Sequence, residues 1–165
     1  MTKTFAYECF ADGDVLSFLQ EDCGFPLKGF HAHGQGRVVE AVLVKRTAEI
    51  GMVDEDPFAS HHSERDRAEI VATTTDLDVR RRGAQHVIII KPALEECFLR
   101  SAKRVGLPST LPHRAGELRA MLNIRGHSKH RAFREELAAL RRESKARDIS
   151  TFVIDLERFV QGLVD

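Results

Sequence analysis

Apolar positions in the first hundred residues fall into two patterns. Short apolar runs rich in β-branched and aromatic residues are typical of buried strands, and longer stretches repeat their apolar positions with helical spacing. The two patterns alternate, and the connections between them are short. This order predicts a parallel sheet with right-handed crossovers, with strands at 4–9, 27–33 and 49–54 and helices at 12–23 and 37–47.

The next part of the chain is more polar. Residues 57–67 have no period and are predicted to form a loop, whereas 69–75 and 86–91 are strand-like. The link at 76–85 carries Arg80-Arg81-Arg82-Gly83 and is turn-like, so that a hairpin or a longer connection joins the two strands.

Helices dominate the remainder of the chain. Pro92 can open a helix over 93–105, which stops at Gly106, and 107–112 is the best internal boundary. The sequence therefore predicts an α/β domain at 1–108, with a mostly parallel sheet flanked by helices. A helical C-terminal extension at 109–165 follows, with helices at 114–123, 129–146 and 150–163.

The net charge of the chain is zero, but its charges are unevenly placed. Residues 1–66 hold twelve Asp or Glu and six Lys or Arg, whereas 113–147 hold ten Lys or Arg and four Glu. An acidic pole and a basic pole suggest a metal site on one side and a surface for a polyanion on the other. The simpler interpretation is that the charged helices are solvated surface.

Cysteine content and hydropathy indicate the cellular compartment in which the protein is expected. The three cysteines, Cys9, Cys23 and Cys97, are odd in number and widely spaced, which argues against a disulfide framework and a zinc cluster. No apolar run has the length of a membrane span, and the N-terminus has no signal-peptide pattern. We expect a reduced, cytoplasmic protein that does not enter a membrane.

Carboxylates follow two of the predicted strands. Asp54-Glu55-Asp56 comes directly after the apolar run at 50–53, and Glu8 ends the first strand. Side chains spaced i, i+2 on a strand point to one face, and the carboxyl edge of an open α/β sheet is where ligands bind. Close carboxylates repel each other unless a cation or a proton lies between them, and oxygen ligands favour Mg²⁺ or Mn²⁺. Glu8, Asp54 and Asp56 are therefore predicted to hold a divalent metal.

This constellation resembles the Toprim domain, the metal-binding fold of topoisomerases, primases and OLD-family nucleases. The Toprim pattern is a Glu after the first strand and an Asp-x-Asp after the third, which match Glu8 and Asp54-Glu55-Asp56. The chain is also similar to small stand-alone Toprim-like proteins in two further stretches, at 31–36 and 92–95. The family usually has Gly after the Glu, and this chain has Cys9 there.

The resemblance implies a function. It implies Mg²⁺- or Mn²⁺-dependent phosphodiester chemistry on nucleic acid, with a nuclease as the expected activity. Glu8 would be a metal ligand or general acid/base, and Asp54 and Asp56 would be metal ligands. Two weaker candidates come from the residues themselves. Lys91, at a strand end, would be a catalytic residue that contacts a phosphate or the transition state, and Glu95, in the first turn of a helix, would be a further metal ligand.

Two other functions remain open at this stage. In a receiver-like signalling module, Asp54 would accept a phosphoryl group beside Glu8 and Lys91, although the acidic pair that follows the first strand of a receiver is missing. In a non-catalytic adaptor, the helices at 114–163 would bind a protein partner or a second copy of the chain.

Overall fold

A six-stranded mixed sheet forms the centre of the protein, whose computed structural model describes residues 1–55 and 63–165. The spatial order of the strands is β2-β1-β3-β6-β5-β4. Their bounds are β1 Lys3–Tyr7, β2 Leu27–His31, β3 Ile50–Asp54, β4 Glu69–Thr73, β5 Leu77–Arg82 and β6 Gln85–Ile90.

Seven α-helices accompany these strands in the described part of the chain. They are α1 Phe10–Glu21, α2 Gln35–Val39, α3 Ser63–Arg67, α4 Leu94–Val105, α5 Ala115–Leu122, α6 Lys129–Arg147 and α7 Phe152–Val164. Helix α2 continues as a π-helical turn over Glu40–Val44. The predicted α/β fold, with a mostly parallel sheet and C-terminal helices, is confirmed.

Four neighbouring strands of the sheet are parallel. Strand β1 pairs with β2 on one side and β3 on the other, and β3 pairs with β6. Because parallel strands end at the same edge, the residues after Tyr7, His31, Asp54 and Ile90 meet at one carboxyl edge. This edge contains the candidate site.

The two faces of the sheet have separate hydrophobic cores. The larger core joins α1, α4 and the three C-terminal helices to one face, with Phe5, Ile50 and Ile88 among its fully buried residues. The smaller core packs α2 and the π-helical turn on the other face. The alternation of inward and outward side chains along each strand explains why neighbouring residues serve opposite cores.

The C-terminal helices share the larger core. Phe133 of α6 meets Phe98 of α4 edge to face, with ring centroids 5.1 Å apart, and α6 also packs against α1. The Arg141 guanidinium forms two hydrogen bonds with Glu157, at 2.9 and 2.7 Å, that tie α6 to α7. The predicted domain boundary at 108/109 stays a prediction of the sequence.

The prediction for residues 76–85 was wrong, because most of this link is the strand β5. Leu77 and Val79 face the core with period two, and a tight turn at Gly83, whose φ is +63°, connects β5 to β6 in an antiparallel hairpin. Because three arginines follow one another at 80–82, the sequence does not show the alternation of apolar and polar residues that is typical of a strand. Their side chains are paired within the fold, since Arg80 donates to two carbonyls of α3, Arg81 to Glu69 and Arg82 to Glu64.

Three helix boundaries also differ from the predictions. Helix α1 begins at Phe10 with Cys9 as its N-cap, two residues before the predicted start. The second helix begins two residues earlier than predicted and ends as the π-helical turn. The part of the predicted loop that the structure describes, Ser63–Arg67, is the short helix α3.

Gly51 lets α2 pack closely on the sheet. A Cβ atom at this position would lie 2.7 Å from Cγ1 of Val38 and 2.8 Å from Cγ2 of Val42. We therefore expect Gly51→Ala to lower the free energy of unfolding by about 1–3 kcal/mol, as overpacked cores do. Urea denaturation measures this change.

Gly116 provides the matched control. A Cβ atom there meets no heavy atom within 4 Å, and the residue lies within α5. Gly116→Ala should therefore be neutral or stabilise the protein by up to about 1 kcal/mol through helix propensity. Equal unfolding curves for the two variants would contradict the close approach at Gly51.

Candidate functional site

Four carboxyl groups approach one another at the carboxyl edge of β1 and β3. Glu8 follows β1, Asp54 ends β3, Asp12 lies in the first turn of α1, and Glu95 lies in the first turn of α4. Tyr7 pairs with Met52 in the parallel ladder, which brings Glu8 beside the end of β3. The sheet register thus joins residues that are far apart in the sequence. We call these four residues the carboxyl cluster.

Backbone amides hold the cluster in place. The Asp54 N–H donates to Glu8 Oε1 at 2.8 Å, and the Leu94 N–H donates to Asp54 Oδ1 at 2.9 Å. Asp12 Oδ2 accepts from the N–H groups of Glu8 and Cys9, both at 3.3 Å. The predicted proximity of Glu8 and Asp54 is therefore present in the structure.

The cluster is electrostatically strained when all its members are ionised. Burial raises the pKa of Asp54 to about 9, and the neighbouring carboxylates of Asp12, Glu95 and Glu8 add to this effect. Burial, followed by the charge of Glu8, raises the pKa of Asp12 to about 8. Protons or a cation must therefore compensate these charges near neutral pH.

Asp12 was not among the predicted site residues. Its side chain is fully buried, and Oδ1 has no hydrogen-bond donor among the residues that the structure describes. The sequence contains a signal for its placement, because an acidic residue three positions after an N-cap commonly turns back to the cap. The sequence does not show that this carboxylate faces Glu8 and Asp54.

Glu95 already has a cationic neighbour. It is 3% exposed, and its Oε2 lies 3.3 Å from Nε of Arg119 in α5, while the same guanidinium contacts Glu96 at 3.0 Å. Burial raises the pKa of Glu95, and Arg119 opposes that shift. The C-terminal extension thus supplies one positive charge to the cluster, and a metal ion at Glu95 would compete with Arg119.

The structure does not bring Lys91 to the cluster. Its ammonium group donates to Asp78 Oδ1 and to the carbonyl of Thr74, both at 2.8 Å. Burial acts to raise the pKa of Asp78, but the hydrogen bonds from Lys91 and Thr73 outweigh it and lower that pKa. Lys91 therefore stabilises the β5 end of the sheet, and this geometry gives no support to the predicted phosphate contact or to the receiver-like pocket.

Asp56, the remaining predicted metal ligand, lies outside the described residues, as do His61 and His62. Within residues 1–55 and 63–165, no three His, Cys, Asp or Glu side chains are arranged as a ready metal shell. The donor set of the cluster nevertheless consists of carboxylate oxygens, which suit Mg²⁺ or Mn²⁺.

The histidine segment, residues 31–35, begins at the last residue of β2 and lies against the cluster. His31 Nε2 is 3.1 Å from the carbonyl oxygen of Glu8, and its ring stacks on Tyr7 with centroids 5.1 Å apart. The His33 ring lies 3.9 Å from that of His31. Gln35 donates its side-chain amide to the carbonyl of Asp54. This segment therefore supports the backbone at the ends of β1 and β3.

The basic helices hold less free charge than their composition suggests. Seven of the ten Lys and Arg residues at 113–147 form ion pairs with acidic side chains. Arg141 and Lys145 both contact Glu157 of α7, and Arg134 contacts Asp14 of α1. Four of the seven paired residues, Arg119, Arg134, Arg141 and Lys145, therefore link different helices.

No protein-family model, no curated protein and no solved structure matches this chain. The helices in the described part of the chain are all too short or too polar to cross a membrane. The fold and the cluster define an α/β protein with a buried carboxyl group set at its sheet edge.

Proposed function

We propose that this protein is a Toprim-like nuclease that uses Mg²⁺ or Mn²⁺ to cleave phosphodiester bonds in nucleic acid. The observation that carries the proposal is the carboxyl cluster, in which Glu8, Asp12 and Asp54 meet and Asp12 Oδ1 is buried without a donor among the described residues. A protein that only needed to fold would be more stable with apolar residues at these positions.

The residues present fit a hard divalent cation. Glu8 and Asp54 supply carboxylate oxygens from neighbouring strands, and Asp56 would be the third ligand by the Toprim resemblance. When bound, the metal would neutralise charge on the phosphate oxygens and lower the pKa of a water molecule. Asp12 would stay behind the ligands, where its charge strengthens the attraction for a cation.

The protein itself would orient these groups. The Leu94 N–H fixes one oxygen of Asp54, which leaves its other oxygen for a ligand role. The Asp54 N–H holds Glu8 Oε1, so that the Glu8 carboxylate is positioned at the same edge and can accept or donate a proton there. Because the carboxyl edge is where substrates bind in open α/β sheets, a phosphodiester would approach from this side.

A non-catalytic adaptor is the second candidate, and one contact favours it. Arg119 neutralises Glu95 and Glu96 without any metal, so a proton-stabilised cluster braced by α5 would be a stable structural unit. In that case the C-terminal helices would bind a protein partner or a second copy of the chain.

A cleavage assay separates the two candidates. We expect the wild-type protein to cut fluorescently labelled DNA or RNA with Mg²⁺ or Mn²⁺ and to be inactive in EDTA. Glu8→Gln should lower the rate by about 100-fold or more, the size of a general acid/base contribution. Glu69→Gln is the charge-matched control, because Glu69 lies on the exposed edge strand β4. Metal-independent cleavage, or equal rates for Glu8→Gln and Glu69→Gln, would refute the nuclease proposal.

A further inference from the structure

A cavity beside the edge strand β2 reaches the carboxyl edge at the histidine segment. It has a volume of about 490 Å³ and lies between β2 and the helical stretch formed by α2 and its π-helical turn. Its lining combines an aromatic ring, two histidines, two long cations and one carboxylate, in Phe30, His31, His33, Arg37, Lys45 and Glu40. The carboxyl cluster does not account for this combination.

Phe30 is the unusual member of this lining. It lies on the edge strand β2 and is 47% exposed, although exposing a large aromatic ring to water is unfavourable. The position of its neighbour Gly29 faces the other side of the sheet, where an added Cβ atom would lie 2.4 Å from Cδ2 of Leu16. The register of β2 thus forces Phe30 into the cavity, where its ring can stack on a planar ligand.

The cations of the cavity are available to an anion. Arg37 is exposed and forms no ion pair with a described residue. Lys45 pairs with Glu40 at 3.2 Å, but the two side chains are 62% and 46% exposed, and such surface pairs contribute little free energy. An aromatic ring beside two long cations is the arrangement that binds a base and its phosphate in single-stranded nucleic acids.

One end of the cavity adjoins the cluster. His31 lines the cavity and also touches the carbonyl of Glu8 through Nε2, at 3.1 Å. Strands β2 and β3 are separated only by β1, so their ends lie about 10 Å apart. Neighbouring nucleotides of one strand can span this distance.

We propose that this cavity binds an unpaired nucleotide of the substrate strand, with its base stacked on Phe30 and its phosphate contacted by Arg37 and Lys45. The proposal rests on the nuclease function above, because it names the substrate of the same site as single-stranded nucleic acid. A duplex is disfavoured, since a paired base cannot leave its stack to reach Phe30 without a cost in pairing energy.

Fluorescence anisotropy with a short labelled oligonucleotide tests the inference. Binding is measured in EDTA, and again with Mg²⁺ on a Glu8→Gln background, in which cleavage does not consume the probe. We expect tighter binding of the single strand than of the duplex, and Phe30→Ala should weaken single-strand binding about tenfold. Phe30→Leu, which keeps apolar area without the ring, should also bind weakly. Arg37→Gln should remove one phosphate contact, so the slope of log K against log salt concentration should become shallower by about 0.7.

Matched controls lie away from the cavity. Ile70→Ala removes an exposed apolar side chain from the opposite edge strand β4, and Lys103→Gln removes an exposed charge from the last turn of α4. Both should bind as the wild type does, and thermal melts verify that all variants fold. Equal affinity of Phe30→Ala and the wild type, or a preference for duplex, would overturn the proposal.

The same experiment separates this inference from the proposed function. If a free nucleoside monophosphate displaced the labelled oligonucleotide at a concentration equal to that of the oligonucleotide, the cavity would be a site for a free nucleotide. That result would overturn the proposal that the cavity binds a nucleic-acid strand. Binding that depends on Phe30, without any metal-dependent cleavage, would support the proposed nucleotide site in the cavity and refute the proposed nuclease activity. Cleavage that is unchanged in Phe30→Ala, together with unchanged binding, would refute the cavity alone.

Discussion

Asp54→Asn is expected to remove most Mg²⁺ binding and to stabilise the metal-free protein at pH 7. Asparagine keeps the oxygen that accepts the Leu94 N–H but carries no charge into the cluster. Loss of a direct ligand should weaken Mg²⁺ at least as much as loss of an outer-shell group, which costs about 10–100-fold in affinity. Because the pKa of Asp54 is about 9 in the folded protein and near 3.8 in the unfolded chain, folding at pH 7 requires that Asp54 take up a proton. A neutral amide avoids this cost, which is up to about 4 kcal/mol at about 1.4 kcal/mol per pH unit.

Asp78→Asn is the matched comparison, and we expect it to change stability in the opposite direction from Asp54→Asn. Asp78 lies on β5, and its carboxylate accepts from Lys91 and has a lowered pKa. Removing its charge should leave Mg²⁺ affinity unchanged and lower the melting temperature. Calorimetric Mg²⁺ titrations and thermal melts of both variants measure these effects. Equal Mg²⁺ affinity of Asp54→Asn and the wild type would exclude Asp54 as a ligand.

The stability of the metal-free protein should fall as the pH rises from about 6.5 to 8.5. The pKa values of Asp12 and Asp54 are raised to about 8 and about 9, whereas both carboxyl groups ionise near 3.8 in the unfolded chain. Between these limits the folded state binds more protons than the unfolded state, so each step up in pH favours unfolding. The stabilising contribution is complete below about pH 3.8 and is lost as the pH passes through 8 to 9.

The expected slope is about 1–2 kcal/mol per pH unit, because each fully shifted group contributes about 1.4 kcal/mol per unit. The window starts at 6.5 because burial lowers the pKa of His86, which destabilises the folded state at lower pH and opposes the trend. Urea denaturation in EDTA across this window measures the slope.

Mg²⁺ should reverse the trend. The ion displaces the protons from the cluster, so its stabilising effect grows as the pH rises, and binding should release protons into the buffer. Asp12→Asn should flatten the slope in EDTA, because its amide retains an acceptor for the Glu8 and Cys9 N–H groups without titrating. A flat profile for the wild type in EDTA, or the same slope in Asp12→Asn, would show that these carboxyl groups do not carry the titration.

Local sequence patterns were sufficient to predict the first three strands of the parallel part of the sheet. Apolar runs ending at Tyr7 and Asp54 predicted β1 and β3, and the crossover rule then placed Glu8 and Asp54 at one edge. The pattern failed at β5, where three arginines alternate between outward positions and contacts with α3. A strand whose polar side chains pair with a neighbouring helix does not show the usual alternation of apolar and polar residues.

The sequence by itself determined the α/β class, the order of the first three strands and the meeting of Glu8 with Asp54, because short-range periodicity and chain handedness fix these features. Only the tertiary structure decided that Asp12 completes the cluster, that Arg119 reaches Glu95 from the C-terminal extension, and that Lys91 turns to Asp78 instead. These contacts depend on helix packing and side-chain direction, which bring together residues as far apart in the sequence as Asp12 and Asp54 and leave no periodic signal along the chain.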